Sequence, residues 1–118
     1  MNTQIITPAA TVLIIRDGEN GIEVFMVKRS NRPPFGNLFV FPGGKIDQSD
    51  NDPRAQSLCR SISDKEASSL LGIENNGLGY WVACVRECFE EVGILLAEKK
   101  DGSQLNLNGL EKEKYQKY

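Results

Sequence analysis

Two short runs near the start of the chain, AATVLII (9–15) and IEVFMVKR (22–29), are rich in β-branched and aromatic residues. The glycine-bearing link RDGENG between them suits a turn, so the pattern predicts a hairpin. The second run places Val24 and Met26 on one face and Phe25 and Val27 on the other. Apolar residues on both faces predict an interior strand with cover on each side. SNRPPFGN (30–37) carries two prolines and a glycine and reads as a loop, and LFVF (38–41) predicts a third strand that runs into Pro42-Gly43-Gly44. Residues 48–79 are polar, serine-rich and interrupted by glycines. Ser63 and Glu66 have the spacing of a capping box and predict a short helix over about 64–71. The strongest helical pattern is YWVACVRECFEEV (80–92), with Gly93 placed to end it. Trp81, Val85, Cys88 and Val92 share one side of that helix, flanked by Val82 and Phe89. Glu87, Glu90 and Glu91 share the opposite side at spacings of three and four. Beyond a short apolar ILL (94–96) and a loop-like stretch, LEKEKYQKY begins a charged helix that stops at Tyr118 without a closing signal, so the sequence reads as cut there.

Composition narrows this picture without changing it. At 118 residues, with 40% apolar and 25% charged residues, the chain is expected to be a single globular domain over 1–118. The segment at about 51–79 reads as an insertion, because roughly 30 residues cannot bury a core of their own. A net charge of −2 and a pI near 5.2 leave no general basic field for nucleic acid or an anionic membrane. Any phosphate must then be held by local cations or by a metal. Three cysteines without a CxxC pair argue against a disulfide framework and for a reducing interior. The absence of histidine excludes Ser-His and Cys-His nucleophilic catalysis within this sequence. No charged leader followed by a long apolar run stands at the amino terminus, and the expectation is a cytoplasmic protein.

The acidic face of the 80–92 helix raises the question of chemistry. Like charges three and four apart repel by a few tenths of a kcal/mol per pair when exposed. On the helical wheel Arg86 lies about 90° from that face, so no neighbour offers obvious compensation. Two readings follow: a solvated acidic surface, or a site for a hard divalent cation such as Mg²⁺, which favours carboxylate oxygens. The spacing around the glutamates decides between them. RECFEEVGI fixes Arg86, Glu87, Glu90, Glu91 and Gly93, with Cys88 and Ile94 at apolar positions, a coincidence of about 10⁻⁵ for a chain of this length.

RECFEEVGI resembles the second half of the box of the Nudix hydrolases, G-x5-E-x7-R-E-U-x-E-E-x-G-U with U apolar. FPGGKIDQSD (41–50) is similar to the approach and first half, with Gly44 as the leading glycine and Asp50 at the glutamate position. About 28 residues more than the usual seven separate Asp50 from Arg86, as in the subset of the family with an insertion inside the box, which includes peroxisomal-type coenzyme A diphosphatases. KRSNRPPFGNLFVFPGG also looks like that subset.

The resemblance implies a Nudix α/β/α sandwich with a mixed sheet, of which the chain holds the N-terminal part. It implies a pyrophosphohydrolase that cleaves a diphosphate bond in a nucleoside-diphosphate-linked small molecule, coenzyme A or acyl-coenzyme A being the leading substrate. Glu87, Glu90 and Glu91 would bind Mg²⁺ or Mn²⁺ with the carbonyl of Gly44, and Arg86 would orient Glu87. Gly43 would let the backbone approach substrate, and Arg29 and Arg32 would hold its phosphates. Asp50, one methylene shorter than the glutamate of the pattern and followed by the interruption, is assigned no ligand role; its candidate role is to support the loop–helix junction. Some members of the family draw the general base from beyond the box, and a fragment without it would be inactive alone. An incomplete sheet would leave an edge open to self-association. The alternative is a truncated or degenerate Nudix module that binds a ligand or partner without turnover.

Overall fold

The computed structural model describes residues 4–29 and 38–105. Six short strands occur: β1 (Ala9–Thr11), β2 (Ile15–Gly18), β3 (Gly21–Val24), β4 (Val27–Lys28), β5 (Phe39–Val40) and β6 (Gly43–Lys45). A 3₁₀ turn, Gln48–Asn51, then leads to α1 (Pro53–Gln56), α2 (Asp64–Leu71) and α3 (Leu78–Val92). The strands form three antiparallel pairs, β1 with β6, β2 with β3, and β4 with β5.

The first apolar run is divided between two partners. Its start, β1, pairs with β6 in the register Ala10↔Gly44, and bonds from Val12 N to Pro42 O and from Ile46 N to Pro8 O lengthen the ladder. Only its end, β2, enters the expected hairpin with β3, extended by Phe25 N to Ile14 O. The glycine turn is thus tied to the first strand across more than thirty residues.

The interior strand expected at 22–29 is not covered on either side by the described residues. Ile22 is 70% exposed, and Val24, Phe25 and Met26 are also exposed. A run apolar on both faces records a demand for burial, not the presence of a neighbour to meet it. The small core lies elsewhere, under α3, where Ala10, Ala67, Leu78, Ala83 and Cys88 are buried.

α3 begins two residues before the expected start, at Leu78, and ends on Gly93, whose left-handed φ of 69° needs no side chain. The expected stripe of Trp81, Val82, Val85, Phe89 and Val92 is half-buried, and Cys88 is buried as a small apolar group. α2 spans 64–71 as expected, with Ser63 and Glu66 capping each other's amides. The charged helix expected at the carboxyl end, and the loop at 30–37 with Arg32, lie outside the described residues. Among the described residues, no helix is long and apolar enough to cross a membrane.

Candidate active site

The two stretches of the split motif meet across the sequence at Arg86. From α3 its guanidinium donates through Nε to Asp50 Oδ1 at 2.8 Å and through Nη2 to Asp50 Oδ2 at 2.9 Å. Such a parallel fork fixes both distance and plane. Nη2 also donates to the carbonyl of Lys45 at 3.0 Å, the last residue of β6. One arginine therefore ties the helix to both the glycine strand and the turn behind it.

Asp50, outside the expected ligand set, stands at the junction between the turn and α3. Its side chain is 1% exposed, and besides Arg86 it accepts the amide of Asp47 at 2.7 Å. Asp47 reciprocates, taking the amide of Ser49 at 2.8 Å, and the two acids form a capping box around the 3₁₀ turn. Ser49, bonding through its amide and hydroxyl, holds the Asp47 carboxyl below the usual carboxylate range. A local signal existed, since Asp47 and Asp50 stand three apart, the spacing of a capping box. The methylene missing from Asp50 does not prevent the contact, because the turn brings the carboxylate to Arg86.

The same guanidinium reaches round the helix to the acidic face. Nη1 donates to Glu87 Oε1 at 2.9 Å and to Glu90 Oε2 at 3.2 Å. The wheel misled here because an arginine side chain is long enough to cross 90° of helical surface. Hydrogen bonding to Asp50 and then to Glu87 holds Arg86 far above its ordinary value, so it stays charged.

Gly43 and Gly44 have different constraints. A Cβ on Gly43 would meet the carbonyl oxygen of Ala10 at 2.4 Å, so its bareness serves the β1–β6 ladder. A Cβ on Gly44 would meet the Glu87 carboxylate at 2.5 Å, so that carboxylate lies directly against the glycine backbone. Beside them runs an open groove of about 520 Å³, lined by Lys28, Arg29, Phe41, Gly43, Gly44 and Glu91 among others. Arg29 is therefore on the groove, at the end of β4, while Arg32 lies outside the described residues.

Among solved structures, the chain matches the crystal structure of a Nudix hydrolase from Alicyclobacillus acidocaldarius at 30% identity and a TM-score of 0.61. That match covers 86% of this chain and 43% of the other, so the chain spans less than half the length of its structural neighbour. The fold is Nudix-like. No family model matches the chain, and no curated protein matches it.

Within a Nudix-like fold, the oxygen donors suit a hard cation in kind. Glu87 and Glu90 each have one oxygen on Arg86, which leaves the other available, and the Gly44 cradle holds Glu87 close to the backbone. Glu91 makes no hydrogen bond or ion pair among the described residues and lines the groove. The three carboxylates do not converge on one point: among the described residues, no group of three acidic or thiol side chains is gathered as a metal site. The arginine explains part of this, because it draws Glu87 and Glu90 towards itself.

Proposed function

We propose that the chain carries a Nudix-type pyrophosphohydrolase site that acts, with Mg²⁺ or Mn²⁺, on a diphosphate bond in a nucleoside-diphosphate-linked small molecule. The observation that supports this best is the forked contact between Arg86 and buried Asp50 at 2.8 and 2.9 Å, which joins both stretches of the motif into one unit. A solvated acidic helix has no reason to carry a buried counter-charge 36 residues away.

Glu87, Glu90, Glu91 and the Gly44 carbonyl would hold the cation. When bound, a divalent cation neutralises the diphosphate and lowers the pKa of water for attack on phosphorus. Arg86 would orient Glu87 through Oε1, which leaves Oε2 for the cation. Arg29, with Lys28 beside it, provides positive charge on the groove for substrate phosphate, and Gly43 brings backbone to its edge. Water oxygen forms a bond to one phosphorus, the anhydride oxygen leaves with the other, and two phosphate monoesters result.

Coenzyme A or an acyl derivative is our substrate of choice, on the resemblance of KRSNRPPFGNLFVFPGG and the insertion inside the box. The free thiols Cys59, Cys84 and Cys88 fit a reducing cytoplasm. A net charge of −2 supplies no general basic field for nucleic acid or an anionic membrane, which favours a small-molecule substrate.

With Mg²⁺, purified protein of full gene length should convert coenzyme A to 3′,5′-ADP and phosphopantetheine, and Glu90→Gln should abolish the release. Cleavage of ADP-ribose or dinucleoside polyphosphates alone would refute the substrate and keep the chemistry. Mn²⁺ binding without hydrolysis of any of these would favour a binding module, a reading the shared oxygens of Glu87 and Glu90 also allow.

A further inference from the structure

The segment between the two stretches of the motif does more than separate them. α2 crosses the start of α3 in backbone contact: a Cβ on Gly77 would come within 2.3 Å of the Ser68 amide nitrogen. Gly77 is the residue before α3 and has no side chain with which to cap it. A helix start leaves its first amides without partners. Here the amides of Gly77 and Leu78, and that of Asn76 just before them, are met from α2. Asp64, its first residue, accepts from Leu78 N at 3.0 Å through Oδ1 and from Asn76 N at 3.2 Å through Oδ2. Ser68 Oγ accepts from Gly77 N at 2.9 Å in a buried bond. The Asp64 carboxylate also stands at the positive end of the α3 dipole.

The insertion grips the chain beyond α3 as well. Arg60, in the link from α1 to α2, donates to the carbonyl of Lys99 at 2.8 Å and to that of Lys100, and reaches Glu98 at 3.4 Å. The inserted segment thus holds the chain on both sides of the helix that carries the glutamates.

We propose that Asp64 is a positioning residue for the reaction, which fixes the start of α3 and so the register at which Arg86 meets Asp50 and Glu87 meets Gly44. This rests on the pyrophosphohydrolase reading above. The physical basis is the stiffness of the helix: Leu78 and Glu87 are about 13 Å apart along its axis, and a rotation at one end is carried to the other. The competing account is that the Arg86–Asp50 fork alone sets the helix and Asp64 only stops its first turn from fraying.

The test compares Asp64→Ala and Asp64→Asn in the whole chain by three readouts. These are the Arg86 Nε–H resonance in ¹⁵N spectra, the Mn²⁺ dissociation constant from electron paramagnetic resonance, and kcat and KM with Mg²⁺ and the substrate hydrolysed. Asp64→Ala should move the Arg86 resonance, weaken Mn²⁺ about tenfold and lower kcat about tenfold with KM within twofold, the size expected for loss of a supporting contact. Asp64→Asn keeps an oxygen for Leu78 N and should restore most of each. If the alanine variant does not fold, Asp64→Asn and Ser68→Ala carry the test, each moving the Arg86 resonance in the same direction by less. Spectral changes confined to residues 76–80, with Arg86 and Mn²⁺ binding unmoved, would overturn the proposal. If the wild-type chain neither binds Mn²⁺ nor hydrolyses a diphosphate, the functional reading fails, and the Arg86 resonance still decides whether Asp64 sets the register.

Discussion

The hairpin pair Arg16–Glu23 and the site pair Arg86–Asp50 use the same two chemical groups in different surroundings. Arg16 Nε lies 2.6 Å from Glu23, with side chains 79% and 52% exposed, so water competes for both charges. Arg86 binds Asp50 through two nitrogens, and the carboxylate is 1% exposed. A short distance is common to both; burial and the number of bonds separate them. The hairpin pair decorates a ladder that backbone bonds already hold. The site pair is the joint between α3, the 3₁₀ turn and β6, and no other polar contact in the described residues links all three.

The largest effect should therefore come from cutting the joint. Arg86→Ala leaves Asp50 buried without its counter-charge, at a cost of about 3–5 kcal/mol, and hydrolysis should vanish with it. Arg16→Ala should cost no more than about 1 kcal/mol. Urea unfolding of the two variants, side by side, measures the difference. Equal midpoints would mean that Asp50 is hydrated in solution, and the contrast between the pairs would be gone.

The two adjacent glycines differ in the same way, one set against backbone and the other against a side chain. Gly43→Ala drives a methyl into the carbonyl of Ala10, a backbone atom that cannot turn aside, and should destabilise by about 1–3 kcal/mol. Gly44→Ala meets the end of the flexible Glu87 side chain instead. It should leave the unfolding midpoint nearly unchanged and lower kcat, because it displaces the carboxylate proposed to hold the cation. If thermal unfolding shows equal losses, Gly44 serves the fold as Gly43 does, and the Glu87 cradle has no separate meaning.

How much of this was legible in the sequence follows from the range of each interaction. The acidic face of α3, its end at Gly93 and the capping box of α2 are local patterns, and residues three and four apart carry them. The Nudix-like fold was legible through RECFEEVGI, where several residue types are fixed within nine positions. The forked contact to Asp50 was not, because its partner lies 36 residues away and periodicity has no memory of that length. Asp64 is a similar case: its place in the first turn of α2 is readable, but the amides it serves belong to α3. The strand at 22–29 failed for the reverse reason. Its apolar pattern is clear, while the described residues supply no cover for Ile22 or Val24.

The smallest expected effect concerns α2, whose capping box is exposed, like the hairpin pair, yet lies in the element that holds α3. The amide of Ser63 and then its hydroxyl, at 2.9 and 2.8 Å, hold the Glu66 carboxyl below its usual value of 4.5. A carboxyl with a depressed folded value contributes stability above its unfolded value and loses it as pH falls through the folded one. Glu66→Gln should thus melt slightly below wild type at pH 7, and the two melting curves should converge as pH falls well below 4.5. If α2 steadies α3 as argued, the pH 7 difference should be accompanied by faster amide exchange at Gly77 and Leu78, beyond the cap itself. A difference that persists unchanged at low pH would show that the carboxylate is not what caps the helix, and the link from α2 to α3 would then rest on Asp64 and Ser68 alone.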